Sequence, residues 1–162
     1  MEQQEIERKF IVSYLPEQLL DNAPNSEVEQ GYLLLENNRE LRIRKRNSKF
    51  WMTLKQGSGL ERFEQEERIT AALYAMLWPL TEGKRIGKVR YLVEDGGHTL
   101  EIDVFSDTLS PLIILEVEFN SVEESQNFKV PDFARKEVTE DKAYKNAALA
   151  TCGLPNSFYS GG

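Results

Sequence analysis

The chain has little of what many active centres are built from. Of its 162 residues, one is cysteine (Cys152) and one is histidine (His98). A lone cysteine excludes an intrachain disulfide framework, and a lone histidine excludes a histidine-based zinc site. No apolar run approaches the roughly 18 residues needed to cross a bilayer. Basic charge is in deficit, with 20 Lys and Arg against 27 Asp and Glu, a net charge of −7. That balance argues against a general nucleic-acid surface, because phosphate backbones are held by an excess of cations. Glycine occurs in Gly57-Ser58-Gly59 and Asp95-Gly96-Gly97, which suit hairpin turns. Neither has the strand–loop–helix setting of a P-loop or a dinucleotide-binding turn. The first residues are charged, which predicts no secretory leader. The expectation is one reduced, cytoplasmic domain, without a membrane or nucleic-acid polymer as partner.

What is present is charge in a regular order. Glu5-Ile6-Glu7-Arg8-Lys9-Phe10 and Leu115-Glu116-Val117-Glu118-Phe119 each place two carboxylates at i and i+2 among largely apolar positions. On a strand, i and i+2 share a face, so each strand has an acidic side and an apolar side. The same period runs through Leu41–Arg46, Phe50–Lys55, Arg62–Glu66, Gly87–Val93 and Leu100–Val104, making seven candidate strands. Period-2 alternation normally marks half-buried strands with a wet face. Here, however, single strands tend to be acidic or basic throughout on the charged side. That segregation suggests two charge zones in one enclosed space, one for a metal and one for an anion.

Short helices or turns separate the strands. Residues 14–21 carry Pro16 where a first turn accepts it; Thr70 suits the N-cap of a helix over 70–77, stopped by Pro79. Ser121 and Glu124 form a capping-box pattern opening a helix towards Phe128, and Asp141 opens one that runs to Cys152 and stops at Gly153. His98, beside its Gly-Gly turn, is expected to be exposed. Residues 1–154 read as one domain and 155–162 as a tail without order. The architecture expected is mainly β: an antiparallel sheet closed into a barrel, with charge inside and helices covering an apolar outside. Only a highly charged ligand justifies desolvating such an interior.

With these residues in view, the chain resembles the CYTH superfamily, the triphosphate tunnel metalloenzymes. The likeness is carried by Glu5-x-Glu7-x-Lys9, Gln30-Gly31-Tyr32-Leu33, Arg42-x-Arg44, Lys55, Glu64-x-Glu66, Lys88-x-Arg90, Asp103, Glu116-x-Glu118, Glu137-Val138-Thr139-x-Asp141 and Tyr144-x-Asn146-x-x-Leu149-Ala150. It spans about residues 2 to 152 and is similar to the small bacterial members. The resemblance implies an eight-stranded antiparallel β-barrel tunnel with short helices packed outside.

The resemblance also implies roles. Glu5, Glu7, Glu116 and Glu118 would bind metal, with Asp103 as a ligand of a second ion; oxygen ligands suit Mg²⁺ or Mn²⁺. Lys9, Arg42, Arg44, Lys55, Lys88 and Arg90 would grip a triphosphate, with Arg62 and Lys136 as outlying members. Lys9, Tyr32, Arg44 and Arg90 are the implied catalytic positions. Glu64, Glu66 and Glu101 read equally as ligands, outer partners or salt-bridge acceptors, and Arg46 as facing inward or sitting at the mouth. No insertion for an adenosine or thiamine group is evident. The implied activity is therefore metal-dependent hydrolysis of inorganic tripolyphosphate by water attacking a terminal phosphorus in line. Thiamine triphosphatase, class IV adenylate cyclase and a non-catalytic polyphosphate-binding module stand as alternatives. A homodimer is left open.

Overall fold

A computed structural model describes residues 6–58 and 61–159 of the chain. Nine strands form one sheet: β1 (Ile6–Val12), β2 (Asn25–Leu35), β3 (Arg39–Arg46), β4 (Lys49–Ser58), β5 (Glu61–Ile69), β6 (Arg85–Asp95), β7 (His98–Phe105), β8 (Ile113–Phe119) and β9 (Ala134–Glu137). Their order is β5-β4-β3-β2-β6-β7-β8-β1-β9, and every neighbouring pair is antiparallel. The class is the expected one, mostly antiparallel β with a few short helices. Among the described residues the sheet is not closed, since β5 and β9 stand at its two ends without pairing to each other. Nine strands also replace the expected eight.

Two strands add to the seven that the alternation indicates. The first, β2, is 11 residues long, and Gly31 lies directly opposite Ile43. Its register with β3 shifts between Tyr32 and Leu34, a bulge that interrupts the period. A Cβ at Gly31 would come within 2.5 Å of Thr81, so close approach of the chain after α1 requires glycine there. The second, β9, is four residues long.

Register places the charges together. Glu7 faces Glu118 and Lys9 faces Glu116 across β1 and β8, and Glu101 faces Glu116 across β7 and β8. Arg90 faces Asp103, Arg42 faces Thr53, and Lys55 faces Glu64. Following these pairs strand by strand puts all of them on one side of the sheet. The other side carries Phe10, Leu100, Ile102, Leu115, Val117 and Phe119 in a core cluster that also takes in Phe133. Leu15, Leu19, Leu20, Phe128 and Val130 pack against it.

One end of the charged side is apolar. Ile11, Ile86, Phe105 and Ile114 join Leu109, Leu112, Val138, Tyr144 and Leu149 in a second cluster that stops that end. Arg42, Lys88 and Asp103 are only 8, 4 and 4% exposed. Burial of three charges on one face of a sheet requires the sheet to wrap around them. On β5, residues 62–68 are exposed on both sides, so the wrapping leaves an open flank there.

The helices match in part. Thr70 caps α1 (Ala71–Leu77) by accepting from Leu73 N at 3.0 Å. Ser121 caps α2 (Val122–Asn127) by accepting from Glu124 N at 3.0 Å, while Glu124 Oε2 accepts from Asn120 N at 2.9 Å. Residues 14–21 do not form the expected helix: 17–22 are turns, in which Gln18 and Asn22 take positive φ values of 71° and 62°. The 141–152 segment is broken: Asp141 caps a short 3₁₀ turn, Lys145 is extended, and α3 covers Asn146–Cys152. The left-handed conformation at Gly153 ends α3. Where no order is expected, Asn156–Tyr159 forms one helical turn, α4. Its Phe158 packs on the apolar end cluster, and Ser157 Oγ lies 3.1 Å from the Tyr144 hydroxyl. His98 is half-buried rather than exposed: its ring meets Phe119 and Phe128 edge-on, with Nε2 3.0 Å from Glu124 Oε1.

Candidate active site

The floor of the charged side is a cluster of cations on β3 and β6. Lys88 Nζ donates to Asp103 Oδ2 at 2.8 Å, and Arg90 grips the same carboxylate with two bonds of 2.8 and 2.9 Å. Arg90 also lies 3.5 Å from Glu101. Burial pushes the Asp103 carboxyl up, but Lys88 and Arg90 outweigh it and hold the group below the usual carboxylate range. The hydrogen bond to Asp103 raises the Arg90 guanidinium. Lys88 is pushed below an ordinary lysine by burial, against the pull of Asp103.

Across β2, the balance of charge tips to positive. Among the described residues, Arg42 and Arg44 form no ion pair. Arg44 Nε donates to Gln30 Oε1 at 2.9 Å, and Gln30 Nε2 donates to the Tyr32 hydroxyl at 3.1 Å. Burial, then Arg42 and Arg90, push Arg44 down to about 10, so it stays charged at neutral pH. Nε of Arg42 is buried with no hydrogen-bond partner among the described residues. Buried donors are normally satisfied, and a donor on a cation is expensive to leave unmet. An anion in this space meets both needs. Burial raises the Tyr32 phenol, which therefore stays protonated.

The acids lie on the β7–β8–β1 side. Glu7 and Glu118 oppose each other, as do Glu101 and Glu116. Like charges directly opposite are destabilising. Burial raises Glu101, and Glu116, Asp103 and Glu118 add to the rise against Arg90. This donor set is all carboxylate oxygen on three adjacent strands, and it fits a hard divalent cation in chemistry. No group of three or more potential ligands is already drawn together among the described residues. Glu5 lies outside them.

The other expected positions are more peripheral. Lys9 is half-buried, its backbone N–H donating to Thr139 Oγ1 at 3.0 Å. Lys55 is half-buried on β4, Arg62 is exposed on β5, and Lys136 is exposed on β9. Glu64 and Glu66 are exposed on β5, and Glu66 accepts from Thr53 Oγ1 at 2.7 Å. Charge alternation passes over Gln30 and Thr53, which are uncharged; both are fully buried on the charged side. Only the polarity of Gln30 and Thr53 at inward positions could have signalled them.

The CYTH domain profile matches residues 3–150. The chain belongs to the CYTH family. CYTH enzymes are metal-dependent. The chain is 46% identical over 148 residues to a Nitrosomonas europaea protein named inorganic triphosphatase, covering 90% of this chain and 96% of that one. An Acetivibrio thermocellus protein of the same name is 36% identical over 147 residues, covering 90% of this chain and 92% of that one. The crystal structure of the inorganic triphosphatase NE1496 superposes with a TM-score of 0.79 at 41% identity, over 95% of this chain and 98% of that one. The fold is thus that of the CYTH family. No helix among the described residues is long and apolar enough to cross a membrane.

Proposed function

We propose that the protein is a metal-dependent hydrolase of triphosphates, acting chiefly on inorganic tripolyphosphate, with water attacking a terminal phosphorus in line. The observation that carries this is the buried cationic floor, with Arg42 Nε unpartnered among the described residues beside Arg44. The names of the two relatives support the choice of substrate.

Arg42, Arg44 and Arg90 offer planar forks to phosphate oxygens, and Lys88, Lys9 and Lys55 offer point charges. Arg62 and Lys136 meet the chain of phosphates at the rim. Phosphoryl transfer needs positioning and charge neutralisation more than a covalent nucleophile, and these cations supply both. Lys9, Tyr32, Arg44 and Arg90 act closest to the reacting phosphorus. Glu5, Glu7, Glu116 and Glu118 would hold Mg²⁺ or Mn²⁺, which would neutralise phosphate oxygens and acidify a water. Asp103 already accepts three hydrogen bonds, so of the about four lone-pair sites of a carboxylate it has one left for metal. A lone, exposed Cys152 suits a reducing compartment, and we assign the protein to the cytoplasm.

The test is release of orthophosphate from tripolyphosphate, ATP and thiamine triphosphate in parallel, with Mg²⁺ or Mn²⁺. Fastest turnover of tripolyphosphate is expected. Faster turnover of thiamine triphosphate, pyrophosphate release from ATP, or retention of every substrate unchanged would each overturn the assignment.

A further inference from the structure

Gln30 is 0% exposed in the middle of the sheet, an unusual place for a primary amide. Its orientation is dictated by its neighbours. Arg44 has only donors, so the oxygen of the amide must face Arg44 Nε, and its NH₂ must face the Tyr32 hydroxyl. The Tyr32 oxygen therefore receives a proton from Gln30 and must give its own elsewhere. Arg42, which also hydrogen-bonds the phenol oxygen, and Arg44, whose field reaches it, have only donors, and neither can accept its proton. Glu40 acts on the phenol through its field alone.

We infer that Gln30 is a positioning residue that fixes the direction of a polar relay, so that Arg44 presents its terminal nitrogens, and Tyr32 its hydroxyl proton, to the bound anion. Because this role presupposes an anion in the tunnel, it rests on the triphosphate reading above. The relay makes Tyr32 a neutral donor beside two cations. It adds a directional hydrogen bond without adding to the repulsion between Arg42 and Arg44.

Substitution by glutamate reverses the relay at almost constant shape. A carboxylate at position 30 accepts from Arg44 and from Tyr32 together, which turns the tyrosine proton inward. The experiment is a double-mutant cycle on tripolyphosphate hydrolysis with Mg²⁺, comparing wild type, Tyr32→Phe, Gln30→Glu and the double variant. In the wild-type background, Tyr32→Phe is expected to lower kcat/KM roughly tenfold or more, the size of a hydrogen bond to a charged group. In the Gln30→Glu background the same change should add less than about threefold, a non-additivity that marks direct coupling. Melting temperatures should not show this pattern. Gln30→Met, which removes both bonds but offers the phenol no acceptor, provides a second variant if the glutamate protein fails to fold: Tyr32→Phe should keep its effect there, while the lost alignment of Arg44 alone lowers kcat/KM, and a Gln30→Met enzyme as active as wild type would sink the positioning role. Additive losses in the glutamate cycle, or an inert Tyr32→Phe, in an active wild type would sink the relay alone. A wild type that releases no orthophosphate from any triphosphate would sink the triphosphate reading and the relay with it.

Discussion

Removing the charge of Asp103 should unfold more than it inactivates. Its carboxylate is the shared counter-ion of Lys88 and Arg90, with side-chain exposures of 5% for Asp103 and 1% for Lys88. Asp103→Asn keeps the shape but leaves an ammonium in a nearly dry setting without a counter-charge. Breaking a buried pair from one side costs on the order of 3–5 kcal/mol. For a chain of this length, 1 kcal/mol moves the melting temperature by roughly 2–4 °C. The expected fall is therefore about 6–20 °C, measured by calorimetry at pH 7. The acid limb carries a second signature. Because the folded-state pKa of Asp103 is held below its ordinary value, its stabilisation is present above about pH 4 and is lost as pH falls through the folded value. Asp103→Asn should flatten that part of the stability profile. Replacing the whole triad, Lys88→Met and Arg90→Met with Asp103→Leu, should restore much of the loss, since apolar groups of similar volume often match buried ion pairs and triads. A melting temperature for Asp103→Asn within about 2 °C of wild type would refute this reasoning, because a 3 kcal/mol loss cannot produce so small a shift.

Arg44→Ala should lower kcat/KM on tripolyphosphate roughly ten- to a hundred-fold. Lys45→Ala, on the opposite side of β3 and exposed, should leave it nearly unchanged, and equal effects would remove the phosphate-binding role of the strand. Glu7→Gln and Glu118→Gln should sharply reduce activity without unfolding the protein and regain part of it at raised Mg²⁺ or Mn²⁺; full wild-type activity in excess EDTA would contradict the metal assignment. Gly31→Ala forces a methyl group to within 2.5–2.8 Å of Thr81 and should destabilise by about 1–3 kcal/mol, read as a lowered urea midpoint; an unchanged midpoint would show that the chain after α1 yields freely.

The charged side of the sheet was legible because a strand's period is two: parity alone placed Arg42, Arg44, Lys88, Arg90, Glu7, Glu116 and Glu118 on a common side. Pairing was not legible in the same way. Parity says nothing of which strands are neighbours, so the meeting of Lys88 with Asp103 and of Glu101 with Glu116 appears only in the register. The longest added strand, β2, escaped because its inward residues, Ser26, Val28, Gln30 and Tyr32, carry no charge to mark the alternation. Its Gly31 and bulge then blur the period further. The apolar stop at one end was hidden for another reason. Ile11 and Ile114 continue the charged side of their strands, and only the long-range approach of Tyr144 and Leu149 shows why they turn apolar there.

The open flank has a meaning for the chain in the company of its own copies. Among the described residues β5 offers an unpaired row of backbone donors and acceptors with solvent on both sides, the form of strand that recruits others into aggregates. Six of its nine residues are charged: Glu61, Arg62, Glu64, Glu66, Glu67 and Arg68. An in-register antiparallel meeting of two such edges centred on Gln65 sets Glu64 against Glu66 and Arg62 against Arg68, and both of those pairs repel. Charges on β5 thus also oppose the extension of one molecule's sheet by another's edge.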